Sequence, residues 1–534
     1  MKPLHRSFIE RALARKFKQL KEAVQYAATT NPRLVSARIL PPTFDSVGGD
    51  MTVERPTRNY GDKRNTMVGL EHSSVLDPTL MPRTAALLGS LDMAGPKKSQ
   101  PTDPKELIGM VQGRMEDNLN FTLNRHRGES QKEIDKRSPQ WYSASSKMNK
   151  GFAKNEGVRE DTAHAVTASL SPQTAWPINT SMSERIIHTY KQKSHLPFSP
   201  EMHSFVDKIL ATPTADGTQS ELHRHMSEIR GRGYHELPTL LHKAAWVRAY
   251  DESHHSQSYR EPLPDGGFSR DFMKNQDGKP TKMQWGNPEN IAKALSVLES
   301  EDKMKSDKSH TEDHHLGVIS AAVGEKPKVR SFYNNLSQPD APPTAAGEMA
   351  DVTADIHTSA DAYGRADLTS MLHTNKKMKT ERPEFSRDFG GMVMGGPPTS
   401  KKSGSIGLYP IVAQAVTNVG KQRDLRGNQT QSLGWSDRQV DSRMVQASAE
   451  ASKQVRDMHT AMHTGELSHP EFLKHYGSLI GSLPPRKLSW AGVPANDIST
   501  SFQDISKSNR VITENTSWII NWVNSRLRQK YLIN

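Results

Sequence analysis

The 534-residue sequence contains no cysteine. Disulfides, cysteine-ligated zinc, iron–sulfur clusters and a thiolate nucleophile are therefore excluded, and the chain suits a reducing compartment. Apolar residues are also scarce. They make up 34% of the chain, about 41% once its 35 glycines are counted, against the roughly 45–50% usual for globular domains. With a mean hydropathy of −0.72, this predicts modest helical cores joined by long irregular segments. No apolar run reaches the roughly eighteen residues of a membrane span, so none is expected. Near Met1 there is no apolar core followed by a small-residue cleavage site, so secretion by a signal peptide is not expected. Strand-like alternation is rare, which sets the class as mainly α. Walker loops, dinucleotide fingerprints and G-x-S-x-G elbows are missing. The histidine runs His223-Arg224-His225, His254-His255 and Glu312-Asp313-His314-His315 lack the spacing of a helical metal site. They read as polar loops, with no metal and no cofactor.

Positive charge is plentiful. The net charge is +12, which favours a polyanionic partner through counterion release. Residues 1–29 have Leu4, Phe8, Ile9, Leu13, Phe17, Leu20 and Val24 on one helical face. Seven Lys/Arg oppose two Glu between Lys2 and Glu22. This basic amphipathic helix either binds an acidic surface or docks on its own protein with its charges in solvent. Residues 30–135 are rich in Pro, Gly, Thr and Asp without a sustained period, and read as a loop-rich arm.

Residues 136–440 carry the ordered helical signals. Ala163, Val166, Thr167 and Leu170 mark one face of a helix that Pro172 ends. Ile178, Met182, Ile186 and Tyr190 mark a second helix, with Pro177 in its first turn. Further helices are predicted at 199–211, 237–250, 288–299 (Asn287 as cap, Pro288 in the first turn) and 409–419. Flexible insertions are expected at 250–285, 300–316, 337–350 and 375–404. Residues 441–534 read as a C-terminal helical tail in which Trp518, Trp522 and Leu527 form a stripe.

Three short pieces inside this core occur in a suggestive order. Leu170-Ser171-Pro172-Gln173-Thr174 closes a buried helix. Val323-Gly324-Glu325-Lys326 forms a glycine–lysine turn, and Asp355-Ile356-His357 follows. They resemble, in the same order, the LSxQ(x)T signature, the V-G-x-K half-hairpin and the D-x-H of helix-hairpin-helix DNA glycosylases. The order SPQTxW, G-x-K with SFYxNL, VTxD and QxxxW (Trp176, Phe332, Thr353, Gln431 and Trp435 among its residues) is also similar to uncharacterised bacteriophage proteins.

The resemblance implies a glycosylase-like helical core that binds DNA and cleaves an N-glycosidic bond, on its own or alongside phage structural proteins. The host cytoplasm or the virion is the implied location. Backbone amides and Gly324 at the hairpin would meet a phosphate, helped by Lys326 and His357. Gln173 would fill the gap left by a flipped base, and Asp355 would stabilise positive charge on the sugar or activate water. Lys326, or Lys328 in its place, would supply a Schiff-base nucleophile. The chain departs from the family pattern at Ala322, where the hairpin's first glycine is usual, and at Pro327. Lys326 and Asp355 stand 29 positions apart because 337–350 is inserted, and Ala360 stands where an arginine is common. Plainer roles exist for each residue: Asp355 as a helix cap, the lysines as solvated charges, Gln173 as a loop polar group, Trp176 and Trp435 as packing. The alternative to an enzyme is a non-catalytic virion or DNA-organising protein on a degenerate scaffold of this type.

Overall fold

The computed structural model describes residues 103–124, 141–172, 176–212, 221–255, 258–262, 268–272, 279–280, 283, 285–324, 327–340, 351–354, 358 and 408–484. It is mainly α-helical. The element with most to explain is α3 (Glu160–Leu170), because every residue from Thr162 to Leu170 is buried. Ala163, Val166, Thr167 and Leu170 mark only one face of this buried helix. Small polar residues close the remaining faces by finding partners in neighbouring helices. Thr167 Oγ1 donates to Asn149 Oδ1 at 2.7 Å, and Thr162 Oγ1 lies 3.0 Å from His315 Nε2. A buried hydroxyl is tolerated when it is so paired.

Around α3 pack α2 (Trp141–Glu156), α4 (Trp176–Lys193), α8 (Pro288–Ser306), α9 (Glu312–Val323) and α10 (Pro327–Ser337). Beyond α4 and α8 lie α5 (Pro200–Leu210), α6 (Glu221–Ile229) and α7 (Leu240–His254). A short antiparallel ribbon, β1 (Arg260–Pro262) with β2 (Phe268–Phe272), rests on α4. The caps follow the local sequence. Ser199 accepts from the Met202 amide, Thr239 from His242, and Asn287 from Glu289 with Pro288 inside the first turn, each satisfying an otherwise orphaned N–H. Trp246, Tyr234, Met182 and Ile186 lie in the larger apolar core. Phe332, Tyr333, Leu336, Ile319 and Val323 lie in the core between α3, α9 and α10.

A second group of helices flanks this central bundle. α1 (Pro104–Asn124) packs on α11 (Leu408–Gln422), on α12 (Gly427–Gln446) and on α14 (His469–Ser482), with α13 (Ala449–Thr464) between α12 and α14. Gly420 and Gly477 permit close approaches here. A Cβ at Gly420 would meet Thr430 Oγ1 at 2.6 Å and Leu425 O at 2.9 Å, and one at Gly477 would meet Phe121 Cζ at 2.9 Å.

Several expectations are corrected. The loop-rich arm 30–135 contains the 21-residue helix α1. Its Leu107, Ile108, Val111, Met115, Leu119 and Leu123 are buried at near-helical spacing, a period obscured by Gly109, Gly113 and intervening polar residues. The insertion expected at 300–316 is largely helix, since α8 runs on to Ser306 and α9 starts at Glu312. The insertion at 250–285 includes the end of α7 and the β1–β2 ribbon. The boundary at 440 cuts through α12, a continuous helix from Gly427 to Gln446. The three histidine runs are not loops. They lie on α6, at the end of α7 and in the first turn of α9. The basic helix 1–29, the insertion 375–404 and the tryptophan stripe 518–527 lie outside the described residues.

Candidate functional site

The glycine–lysine turn joins two packed helices. α9 ends at Val323, and the Gly324 N–H donates to Ser320 O at 3.0 Å. Gly324 has φ +75° and ψ −169°, a conformation that disfavours any residue with a Cβ. α10 begins at Pro327, a first helical position that proline suits because its missing N–H would be unpaired anyway. Ala322 lies two residues before Gly324, inside α9 and buried. It needs no positive φ, and Asp424 is the only non-glycine with one among the described residues. The two departures from the family pattern at this turn therefore carry no backbone strain.

Beneath the turn lies a buried cation. Arg330 of α10 folds back so that its Nε donates to Gly324 O, while Nη2 donates to Ser320 O at 3.4 Å and to Ser320 Oγ at 3.2 Å. The guanidinium ties the turn to α9 and sets positive charge under its backbone, a combination that attracts anions. Lys328 is half-buried on the first turn of α10.

The far half of α10 forms one wall of a polar floor. Asn334 Nδ2 donates to Asp351 Oδ1 at 3.0 Å. Asn335 Nδ2 donates to Asp351 O at 2.9 Å and to Thr353 Oγ1 at 3.3 Å. From α12, Gln431 grips the same segment on both sides of one residue. Its Oε1 accepts from Thr353 N–H and its Nε2 donates to Thr353 O, each at 2.8 Å. Tyr142 of α2 donates its hydroxyl to Gln431 Oε1 at 3.1 Å. An amide side chain can act as donor and acceptor at once, so Gln431 stands in for a strand neighbour along residues 351–354. The aromatic rings of Tyr142 and Trp176 meet Phe332 edge-on, at 6.2 and 6.1 Å between centroids. Pieces read separately along the sequence (Trp176, Phe332 with Asn334 and Asn335, Thr353, Gln431) thus share one core. Trp176 is a packing residue, as its plainer reading held.

Of the residues given site roles from sequence, Gly324 lies at the turn and Lys328 on α10. Gln173, Lys326, Asp355 and His357 lie outside the described residues. What is described is their surroundings: Gln173 falls between Pro172 and Trp176, and Asp355 follows the buried Ala354.

Sequence spacing missed a cluster of ionisable groups on the far side of α4. His188 Nδ1 lies 2.9 Å from Glu156 Oε1, and Gln192 Nε2 donates to Glu156 Oε2 at 3.2 Å. The hydrogen bond that Glu156 accepts from His188 raises the His188 pKa and lowers that of Glu156. Glu184, one turn before His188, has its carboxyl pushed up to about 7 by burial. A carboxyl poised near neutrality beside an imidazolium can exchange a proton at physiological pH. The i, i+4 spacing of Glu184 and His188 was a weak signal, and Glu156 comes from a different helix, so no motif linked them. A second cluster, His225, Glu228 and His242, likewise joins two helices.

Residues 126–216 match the model of a family of unknown function, DUF7178. The matched stretch runs through α2, α3, α4 and α5 and includes the 170–174 elbow, Glu156, Glu184 and His188. No curated protein and no solved structure matches the chain. Among the described residues, no helix is long and apolar enough to cross a membrane.

Proposed function

We propose that this is a DNA-binding protein that removes or modifies a base by cleaving its N-glycosidic bond. The observation that carries the reading is the anchoring of residues 351–354, which lead directly into Asp355, on α10, the helix that starts at the glycine turn. Asn334, Asn335 and Gln431 make that anchor. The turn would receive a DNA phosphate on backbone N–H groups, with Arg330 beneath it and a net charge of +12 behind it. Asp355 would stabilise the oxocarbenium-like sugar as the base departs with its bonding electrons, and water would complete the hydrolysis. Lys326 or Lys328 attacking the sugar in place of water would give a Schiff base that borohydride traps.

The test is release of free base or strand nicking on duplexes carrying varied lesions and modified bases. Activity in the wild type that drops by at least about 100-fold in Asp355→Asn supports the proposal. Equal activity in both removes Asp355 from the mechanism. Binding without base release by the wild type favours the competing reading, a non-catalytic virion or DNA-organising protein. The observation on that side is that the amides of Asn335 and Gln431 are spent on holding backbone.

A further inference from the structure

We infer that His225, Glu228 and His242 form a binding site for a divalent transition metal of the zinc class, linking α6 to α7. The inference does not rest on the nucleic-acid reading. His225 and Glu228 stand at i and i+3 on α6, so their side chains share a face. His242 enters from the first turn of α7, where Thr239 is the cap. One ligand atom from each of the three lies within 4.8 Å of the others. Glu228 Oε2 is the focus: it contacts His242 Nε2, and His225 Nδ1 lies 3.6 Å away. The two imidazoles meet edge-on, with centroids 5.3 Å apart.

Three features distinguish this group from an ordinary ion pair. First, two imidazoles converge on a single carboxylate oxygen. One shared proton can bridge only one imidazole to it, and protonating both rings at this spacing sets two positive charges side by side. A divalent cation between them satisfies all three donors at once. Second, His242 is held from behind. Its Nδ1 is 2.7 Å from Thr239 Oγ1, which fixes the ring and leaves Nε2 toward Glu228, the arrangement that outer hydrogen bonds give to metal-binding histidines. Third, burial is graded. His225 is buried and His242 nearly so, while the Glu228 side chain is 46% exposed. A cation therefore has a route from solvent, and water can fill the remaining position.

Two histidines and one carboxylate, without sulfur, suit zinc, cobalt or nickel rather than the oxygen-preferring magnesium and calcium. Tetrahedral ligands about 2.0–2.1 Å from zinc lie roughly 3.3 Å from one another. Side-chain rotations that close the spread of up to 4.8 Å by about 1.5 Å would form the site.

The experiment is zinc titration of the full chain by calorimetry after chelator treatment, with no DNA present. The expected result is one saturable site per chain and a melting temperature that rises with zinc. Cobalt(II) should give visible d–d absorption at one equivalent. Glu228→Gln and His242→Gln, both at positions with some exposure, should each weaken binding by about 100-fold or more while leaving the far-ultraviolet spectrum unchanged. Thr239→Val should weaken it about tenfold and Thr239→Ser little, since the outer hydroxyl is then lost or kept. Glu184→Gln, in the other histidine–carboxylate cluster, should have no effect. Absence of a saturable site, retention of binding in both Glu228→Gln and His242→Gln, or loss in Glu184→Gln alone would overturn the assignment.

Discussion

The central bundle around α3 and the flanking bundle around α1 solve the same packing problem with different spans of chain. The central bundle is drawn from one stretch of the chain, α2 through α10, although α3 itself packs on α8, α9 and α10 from the far end of that stretch. The flanking bundle brings α1 against α11 across nearly 300 residues: Asn418 donates to Glu116 Oε1 at 3.1 Å, and Arg423 donates to Asn124 Oδ1 at 2.6 Å and caps the Leu123 and Asn120 carbonyls. Closing so long a loop costs entropy that grows only slowly with length, so the pairing is affordable. Among the described residues, α1 packs on α11, α12 and α14, all of them far along the chain. The central bundle has all its helices once α10 is made, whereas the flanking bundle draws on α11 to α14 as well.

Among the described residues, polar side chains of α12 and the segment before it join the two. Gln431 reaches from α12 to Thr353 and Tyr142, Asn428 Nδ2 donates to Pro339 O at 2.8 Å, and Arg426 approaches Asp340 at 3.7 Å. The largest predicted effect therefore falls on Gln431. Gln431→Ala leaves the Thr353 N–H, its carbonyl and the Tyr142 hydroxyl short of a partner in a buried setting. The expected cost is about 4 kcal/mol, with separation of denaturant unfolding into two transitions. A single transition of unchanged midpoint would mean the bundles are coupled elsewhere.

Next is Leu119→Ala. This residue is fully buried on α1, and its truncation should cost about 3 kcal/mol. Amide exchange should accelerate in α1, α11 and α12 and stay unchanged in α3 and α8. Exchange that rises equally in both bundles would erase the distinction drawn between them.

Acid should act on each bundle through its own histidine. Burial pushes the pKa of His164 in the central bundle and of His469 in the flanking bundle down to about 4. Between that value and the ordinary 6.5 the unfolded chain binds a proton that the folded chain refuses. Stability is therefore complete above about pH 6.5 and is lost as pH falls toward 4, by up to the order of 3 kcal/mol for His164. Glu184 runs the other way. Its raised pKa means the folded chain keeps a proton between about 4.5 and 7, so its contribution declines as pH rises through that range. His164→Leu should flatten the acid limb of the central bundle alone, and His469→Leu that of the flanking bundle alone, as followed by urea unfolding at stepped pH.

The smallest effect is expected from Gly420→Ala. The added carbon must push Thr430 or the Leu425 carbonyl aside, at a cost of about 2 kcal/mol confined to the α11–α12 contact. A neutral substitution would show that this contact yields more easily than a packed core does.

The same contrast explains what could be read without coordinates. Asn287, Pro288 and the Ile291, Leu295, Leu298 spacing announced α8, because caps and helical period act within a few residues. Nothing comparable marked its end, and the helix continues to Ser306 on a charged tail supported by Lys305 with Glu301. The glycine turn was recognisable from Gly324, yet Arg330 beneath it was not, since its role arises from folding back over six residues. Gln431 was noted only as one residue of an ordered set. That it serves as a surrogate strand for Thr353 depends on two helices arriving at one place. His225 was visible as a potential ligand and set aside, because its partners are one turn ahead on its own helix and on the next helix along.

By itself, then, the sequence determined the helical class, the starts of α4, α5 and α8 in the central bundle, the lack of thiol chemistry and the turn between α9 and α10. Each follows from forces that act between near neighbours or from which residue types are present at all. Tertiary structure alone decided that α3 is buried on every side, that α1 is a core helix, that Gln431 binds Thr353, and that Glu228 faces two histidines. Those outcomes rest on burial and on donor–acceptor pairing between segments far apart in the chain, which no local pattern encodes.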